Sequence, residues 1–188
     1  MKDKNKIAES EEAFKLILNN LGEDTGREGL LETPKRFISF WNDFLSPPPF
    51  EMTTFDSEGT DQMICQFDIP FYSICEHHGA SIIGFAHLGY VPSNKILGLS
   101  KLARTVEKFS RRMTNQERLC SLSAEFIMND PLKPLGVGCI ISARHLCMEM
   151  RGVRKPGTTT TTSKLLGVFK TDPIIAQRFW DQVNSRNK

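Results

Sequence analysis

Apolar residues recur at helical spacing twice near the start of the chain. Phe14, Ile17, Leu18 and Leu21 form one stripe behind Ser10, and Gly22 follows as a stop. The pattern predicts an amphipathic helix over residues 11–21 with Ser10 as its cap. Thr33-Pro34 then offers a cap with proline in the first turn, and Phe37, Phe40, Trp41 and Phe44 repeat the stripe as core packing. Pro47-Pro48-Pro49 ends this second helix, and the acidic, glycine-containing residues 51–62 read as a loop.

At Met63 the period changes from helical to alternating. Met63, Cys65, Phe67 and Ile69 alternate with Ile64, Gln66 and Asp68 as far as Pro70, a strand that delivers the chain to Cys75. Residues 81–91 alternate again, with Ile83, Phe85, His87 and Val91 on one side and Ile82, Ala86, Leu88 and Tyr90 on the other. Both sides are apolar enough to be covered, and His87, away from the other histidines, reads as structural. Ser100 caps a predicted third helix whose buried stripe is Leu102, Val106, Phe109 and Met113, with Lys101, Arg104, Lys108 and Arg111 off it. Thr114-Asn115-Gln116-Glu117 matches a capping box opening a fourth, with Leu119, Leu122 and Phe126 inward.

A turn containing Pro131, Pro134 and Gly136 leads into a long predicted strand over 137–150, on which Cys139, Ile141, Ala143, His145, Cys147 and Glu149 share one face. His145 and Cys147 would then be neighbours about 7 Å apart. Thr158 to Thr162 and Leu165 to Phe169 suggest another strand, and Asp172-Pro173 caps a terminal helix carrying Ile175, Phe179 and Val183. This order predicts an α+β fold, an antiparallel sheet with helices on one face over residues 63–188, preceded by an N-terminal helical region over 1–62. Strand–helix alternation with a phosphate loop is not seen.

Composition narrows the class. With 188 residues, 39% hydrophobic, 24% charged and net charge +2, the chain suits a globular protein with its own core and lacks the basic excess of a nucleic-acid binder. Any anion must be held by a local cluster. Met1-Lys2-Asp3-Lys4-Asn5-Lys6 runs into Glu-rich sequence without an apolar core, and no later run could span a bilayer, so a cytoplasmic protein is expected. Five cysteines without a framework of short spacings argue for reduced thiols, some of them metal ligands. Cys65, Cys120 and Cys139, among apolar residues, read as small buried hydrophobes.

The candidate chemistry falls in two segments, Tyr72 to His78 and His145 to Gly152. Cys75-x-x-His78 brings a thiolate and an imidazole together from one turn, as tetrahedral zinc requires. With Cys147 the set has three protein ligands and an open fourth position, the arrangement of a catalytic zinc, which leaves His145 and His77 as acid and base. A closed site using His145 as well, or ordinary core cysteines, are the alternatives. Lys101, Arg104, Arg151, Arg154 and Lys155 would suit a phosphorylated substrate or form solvated surface charge. Glu117 either serves its capping box or accepts hydrogen bonds from the N–H edge of guanine.

These residues carry a resemblance. Cys75-Glu76-His77-His78, Gly98-Leu99-Ser100-Lys101-Leu102-Ala103-Arg104, Gln116-Glu117-Arg118-Leu119, His145-Leu146-Cys147-Met148 and Arg151-Gly152-Val153-Arg154-Lys155-Pro156-Gly157 resemble GTP cyclohydrolase I, collinearly from about Gly26 onward. The resemblance implies a zinc enzyme, with Fe²⁺ accepted by the same ligands, that converts GTP and water to 7,8-dihydroneopterin triphosphate and formate. That product enters folate, pterin and deazaguanine synthesis. Cys75, His78 and Cys147 would hold zinc, the activated water would attack C8 of guanine, and His145 would protonate the imidazole-ring nitrogen. His77 would help open the ribose, and Ser100 would assist the later sugar rearrangement. Gln116 and Glu117 would read guanine, while Lys101, Arg104, Arg151 and Arg36 would grip the triphosphate. The family forms a decamer of two pentameric rings with a tunnelling fold and sites between subunits, and it leaves room for a feedback regulatory partner. A catalytically silent nucleotide-binding assembly and a cyclohydrolase that stops at a ring-opened product are the rival readings. Two positions depart from the family: Gly79-Ala80-Ser81-Ile82 where bulky apolar residues are common, and Ser39 where a lysine often stands.

Overall fold

The structure, a computed structural model, describes residues 4–130 and 132–186; Met1, Lys2, Asp3 and Pro131, named above, lie outside the described residues. Two compact units divide the chain, Met1–Pro47 and Pro48–Lys188. In the first, helices α1 (Lys4–Asn20) and α2 (Thr33–Phe44) are joined through a 3-10 turn at Glu28–Leu30. Helix α1 begins well before the predicted start, so Ser10 is not a cap; its hydroxyl donates to the Lys6 carbonyl one turn back at 2.7 Å. Gly22 does end the helix, at φ +91°. Thr33 opens α2 from inside and donates to the Gly29 carbonyl at 3.3 Å, while Pro34 sits in the first turn as expected. Phe14 stacks on Phe37 with ring centroids 3.8 Å apart. The rest of the aromatic stripe is not closed core within this unit: Trp41 and Phe44 are half-buried and Phe40 is 55% exposed. Two short helices present too little surface to cover one another.

The second unit runs β1 (Thr54–Asp56), β2 (Ile64–Cys75), β3 (Ser81–Val91), β4 (Lys95–Leu97), α3 (Ser100–Ser110), β5 (Met113–Thr114), α4 (Gln116–Met128), β6 (Gly136–His145), α5 (Leu146–Glu149), β7 (Thr159–Gly167), α6 (Val168–Thr171) and α7 (Pro173–Asn184). Residues 51–62 are therefore not all loop, since β1 pairs antiparallel with β4. The main sheet has the order β5-β2-β3-β6-β7. It is antiparallel except at one edge, where β5 pairs parallel to β2, so the sheet is mixed where the sequence predicted a purely antiparallel one.

The alternation of β3 is realised as read. Ile82, Ala86, Leu88 and Tyr90 join Cys139, Ile141 and Ala143 of β6 against Leu102 and Val106 of α3 and Leu119, Cys120, Ala124 and Ile127 of α4. The opposite face is not helix-free, which corrects the expectation of helices on one face. There Val91 and Ile140 pack with Phe169, Phe179 and Val183, so α6 and α7 cover one end of it. The reason is a trough without side chains: a Cβ at Gly138 would lie 2.7 Å from the Phe169 ring, and one at Gly89 would lie 3.0 Å from the Phe179 ring. Each ring so buried contributes on the order of 2–3 kcal/mol. Asp172 caps α7 as predicted, accepting the Ile174 and Ile175 N–H groups at 2.8 and 3.4 Å. His87 is structural: it is buried, and its Nδ1 accepts the Asp68 N–H at 3.2 Å where β2 bulges between Gln66 and Ile69. Cys120 and Cys139 are fully buried, and Cys65 is half-buried with its thiol pushed up to about 12 by burial.

Register brings the chemistry to one end of the sheet. Ile74 pairs with Ser81, Ile82 with His145 and Cys75 with Thr114, so the ends of β5, β2 and β6 lie at one end of the sheet, with the start of β3 between β2 and β6.

Candidate metal centre

Cys75 ends β2 and is buried. Its N–H donates to the Ala80 carbonyl at 2.8 Å, and its own carbonyl accepts the Gly79 and His78 N–H groups at 2.9 and 3.3 Å. This closed turn needs Gly79 at φ +66°, a conformation that side chains with a Cβ rarely adopt. It sets Cys75 Sγ and His78 Nδ1 3.5 Å apart. The ring of His77 is inclined 77° to that of His78, its Nδ1 stands 3.9 Å from Cys75 Sγ, and it is largely exposed.

Cys147 arrives differently from the prediction. The strand expected over 137–150 stops at His145, and the chain curls into the single turn α5, so His145, Cys147 and Glu149 do not share a strand face. Two interactions hold the curl. Arg144 clamps Glu149 bidentately, Nε to Oε1 at 2.8 Å and Nη2 to Oε2 at 2.6 Å, and the Met150 N–H donates to the Leu146 carbonyl at 2.9 Å. The curl carries Cys147 back toward Cys75. The ligand atoms of Cys75, His78 and Cys147 all lie within 4.8 Å of one another.

Two thiols and one imidazole form a donor set that zinc accepts, and tetrahedral bond lengths require the donors to stand about 3.5–3.8 Å apart, a small contraction from the spacing seen. The residues fit a metal ion with one position open. Burial, and then the neighbouring Cys75 thiol, push the Cys147 thiol upward, while the charge of Arg151 opposes this. Arg151 is exposed on the segment after α5.

His145 is half-buried at the end of β6, with Nε2 2.8 Å from Gln116 Oε1. Gln116 is 1% exposed, and its amide nitrogen faces the Ile141 carbonyl at 3.1 Å, the Thr160 carbonyl at 2.9 Å and Thr162 Oγ1 at 3.2 Å. Carbonyls only accept, so the amide cannot flip and Oε1 must point at His145. Neutral His145 therefore carries its proton on Nε2 and leaves Nδ1 free. Burial lowers the pKa of His145, and the charge of Glu117 opposes the shift. Gln116, expected to read a base, has no spare amide N–H with which to do so.

Helix α4 starts one residue later than the capping box predicts. Asn115 is the cap, its Oδ1 accepting the Arg118 N–H at 2.8 Å, which releases Glu117 from the capping duty given to it. Glu117 is exposed and makes no hydrogen bond or ion pair among the described residues. On α3, Ser100 is exposed and caps nothing, Leu99 before it already having helical dihedrals. Lys101 is half-buried with its ammonium 5.9 Å from the Phe50 ring centre, and Arg104 is exposed. Among the described residues, none of these three shares a hydrogen bond or ion pair with Cys75, His78, Cys147 or His145. Arg36 is exposed on α2 of the first unit. Glu76, Arg118, Arg144 and Glu149 were given no role by the sequence, because their ion pairs form only in the fold. A carboxylate directly after Cys75 and an arginine–glutamate pair flanking Cys147 were the only signals available.

A family model described as GTP cyclohydrolase I matches residues 10–184. The GTP cyclohydrolase 1 of Sulfurihydrogenibium sp. (strain YO3AOP1) is 46% identical over 187 residues, covering 99% of this chain and 98% of the relative. That of Aquifex aeolicus (strain VF5) is 47% identical over 178 residues, covering 94% and 95%, and that of Streptococcus suis (strain 05ZYH33) is 42% identical over 181 residues, covering 94% and 96%. A solved structure, the archaeosine synthase QueF-Like in the apo form, aligns with a TM-score of 0.46 at 13% identity, over 56% of this chain and 93% of its own. Matches of this identity extend through both ligand-bearing segments and the helices between them, and the chain belongs to the GTP cyclohydrolase I family.

Proposed function

We propose that the protein opens the imidazole ring of the guanine in GTP by hydrolysis, releasing formate and forming 7,8-dihydroneopterin triphosphate. The observation that carries this reading is the convergence of Cys75, His78 and Cys147 beside His145 in a chain of this family. Cys75, His78 and Cys147 would hold the metal. A bound zinc ion supplies Lewis acidity, which makes water a nucleophile near neutral pH. Zinc suits the two thiolates and the imidazole, and Fe²⁺ would accept the same set.

The chain's own residues divide the remaining work. His145, held by Gln116 with Nδ1 free, receives a proton there and delivers it to the ring nitrogen as the C8–N bond breaks. Its lowered pKa makes it a ready donor once protonated. His77, exposed beside the metal turn, is assigned to ribose opening, and Ser100 to the later sugar rearrangement. Glu117 would accept from the N1–H and 2-amino groups of guanine, with Gln116 acting through His145. Lys101, Arg104, Arg151 and Arg36 would bind the triphosphate. We assign residues 63–188 to a tunnelling-fold catalytic region behind the helical region 1–62. The assembly follows the family reading, two pentameric rings with sites between subunits, in the cytoplasm, at the entry to tetrahydrofolate, pterin or deazaguanine synthesis. Purified zinc-loaded protein is expected to release formate from GTP and yield a product that becomes fluorescent on oxidation, and Cys147→Ala to abolish both. Formate release by Cys147→Ala at the unmodified rate would overturn the reading.

A further inference from the structure

Glu76 lies inside the metal turn but outside the set of metal ligands. Its side chain is 26% exposed, and its carboxylate is held from two sides. Asn115 Nδ2 donates to Oε1 at 2.9 Å and Arg118 Nη1 donates to Oε2 at 2.5 Å. Its backbone N–H donates to the Thr114 carbonyl at 3.1 Å, next to the pairing of Cys75 with Thr114. All of these partners lie at the start of α4. Asn115 uses its other side-chain atom, Oδ1, to cap the helix, so one amide closes α4 and grips the metal turn. The next two residues are Gln116, on which His145 rests at 2.8 Å, and Glu117, whose carboxylate is exposed. A continuous tether thus runs from the residue after Cys75 to the carboxylate offered to a base. Within the turn, His77 Nε2 also stands 3.9 Å from Glu76 Oε1, a looser contact than those to Asn115 and Arg118.

We propose that Glu76 is a positioning residue that registers the first turn of α4 against the metal turn, and that it thereby aims Glu117 at the 2-amino edge of a purine nucleotide and sets the preference for guanine. This rests on the functional reading above. A carboxylate accepts two hydrogen bonds from guanine, through N1–H and the 2-amino group, but one from hypoxanthine, which lacks that amino group. The difference between GTP and ITP therefore reports the aim of Glu117, whereas general loosening of the fold would weaken both alike.

The test measures GTP and ITP dissociation constants by calorimetry on the full chain carrying Cys147→Ala, so that binding is read without turnover. Adding Glu76→Ala is expected to weaken GTP about tenfold or more and ITP distinctly less, since ITP has one hydrogen bond to Glu117 to lose and GTP two, so that the preference shrinks. Arg118→Ala should shrink it similarly, and the double variant should add little, since both residues act through one tether. Glu76→Gln, which keeps an acceptor for Asn115, should retain part of the preference. An unchanged ratio, or equal weakening of both nucleotides, overturns the proposal. Should Glu76→Ala fail to fold, Arg118→Ala decides between the same outcomes and leaves the metal turn intact. Formate release by the unmodified protein judges the functional reading separately.

Discussion

His87 is buried and His145 half-buried, where the imidazolium is disfavoured, and both have pKa values lowered first by desolvation. Around His87, Asp68 pulls the other way and Arg186 reinforces the shift; around His145, Glu117 opposes it. A group whose folded pKa lies below its unfolded value, about 6.5 for histidine, contributes stability that is present above that value and lost as pH falls through the folded one. The urea midpoint of the metal-free protein is therefore expected to fall between pH 7.5 and 5.5, and a flat midpoint over that window would refute the assignment. His87→Gln, which can still accept the Asp68 N–H, should flatten part of the slope. The carboxylates act lower. Arg118 holds Glu76 and Arg144 holds Glu149 below the usual carboxylate range, so their contribution persists above about pH 4.3 and disappears beneath it. The two protonation windows therefore separate.

At the scale of elements, the single turn α5 decides the metal centre. Residues 137–149 alternate as one strand would, and through His145 they form one, paired with β3 and β7. The ladder to β7 ends at Arg144, and beyond it the Arg144–Glu149 pair outweighs continued alternation, because nothing remains for an extended chain to pair with. Glu149 sits with its side chain 8% exposed, which keeps water from competing for Arg144. Glu149→Ala should let the turn open and lower zinc affinity about tenfold to a hundredfold, as loss of a support behind a metal ligand commonly does. Competition against a chromophoric chelator measures this. Affinity within twofold of the unmodified chain would mean that the backbone alone holds Cys147. The start of α4 was decided in the same way, its cap moving from Thr114 to Asn115: the capping pattern marked the helix correctly, but Glu76 and Arg118 selected the residue.

For the whole molecule, the candidate metal centre lies at one end of the sheet, where Cys75 and Cys147 also belong to the larger of two cores. The larger core runs from Ile69 to Ile141 through α3 and α4, and the smaller is centred on Phe179. Stripping the metal with a chelator is expected to abolish formate release while leaving far-UV circular dichroism and the mass by light scattering unchanged. The melting temperature should rise with added zinc, since binding to the folded state alone stabilises by about 2.7 kcal/mol at a hundredfold excess over the dissociation constant. Loss of the sheet spectrum on chelation would show that the centre is structural instead.

The sequence by itself determined the long helices and strands, the buried face of β3, the identity of the metal ligands as candidates and, through several motifs in order, the family, but not the short elements β1, β4, β5, α5 and α6. Periodicity and residue chemistry are local, and a short window displays them. It could not determine which face α7 covers, because that depended on Gly89 and Gly138 lying side by side in a trough across two strands. Nor could it assign Gln116, whose amide is consumed by the Ile141 and Thr160 carbonyls and turned toward His145. Glu76 finds Arg118 only when β2 and β5 pair. Interactions between residues so far apart in the chain exist only after folding has closed the distance, and at this site they turn the Gln116 amide toward His145 and hold the Glu76 carboxylate at the start of α4.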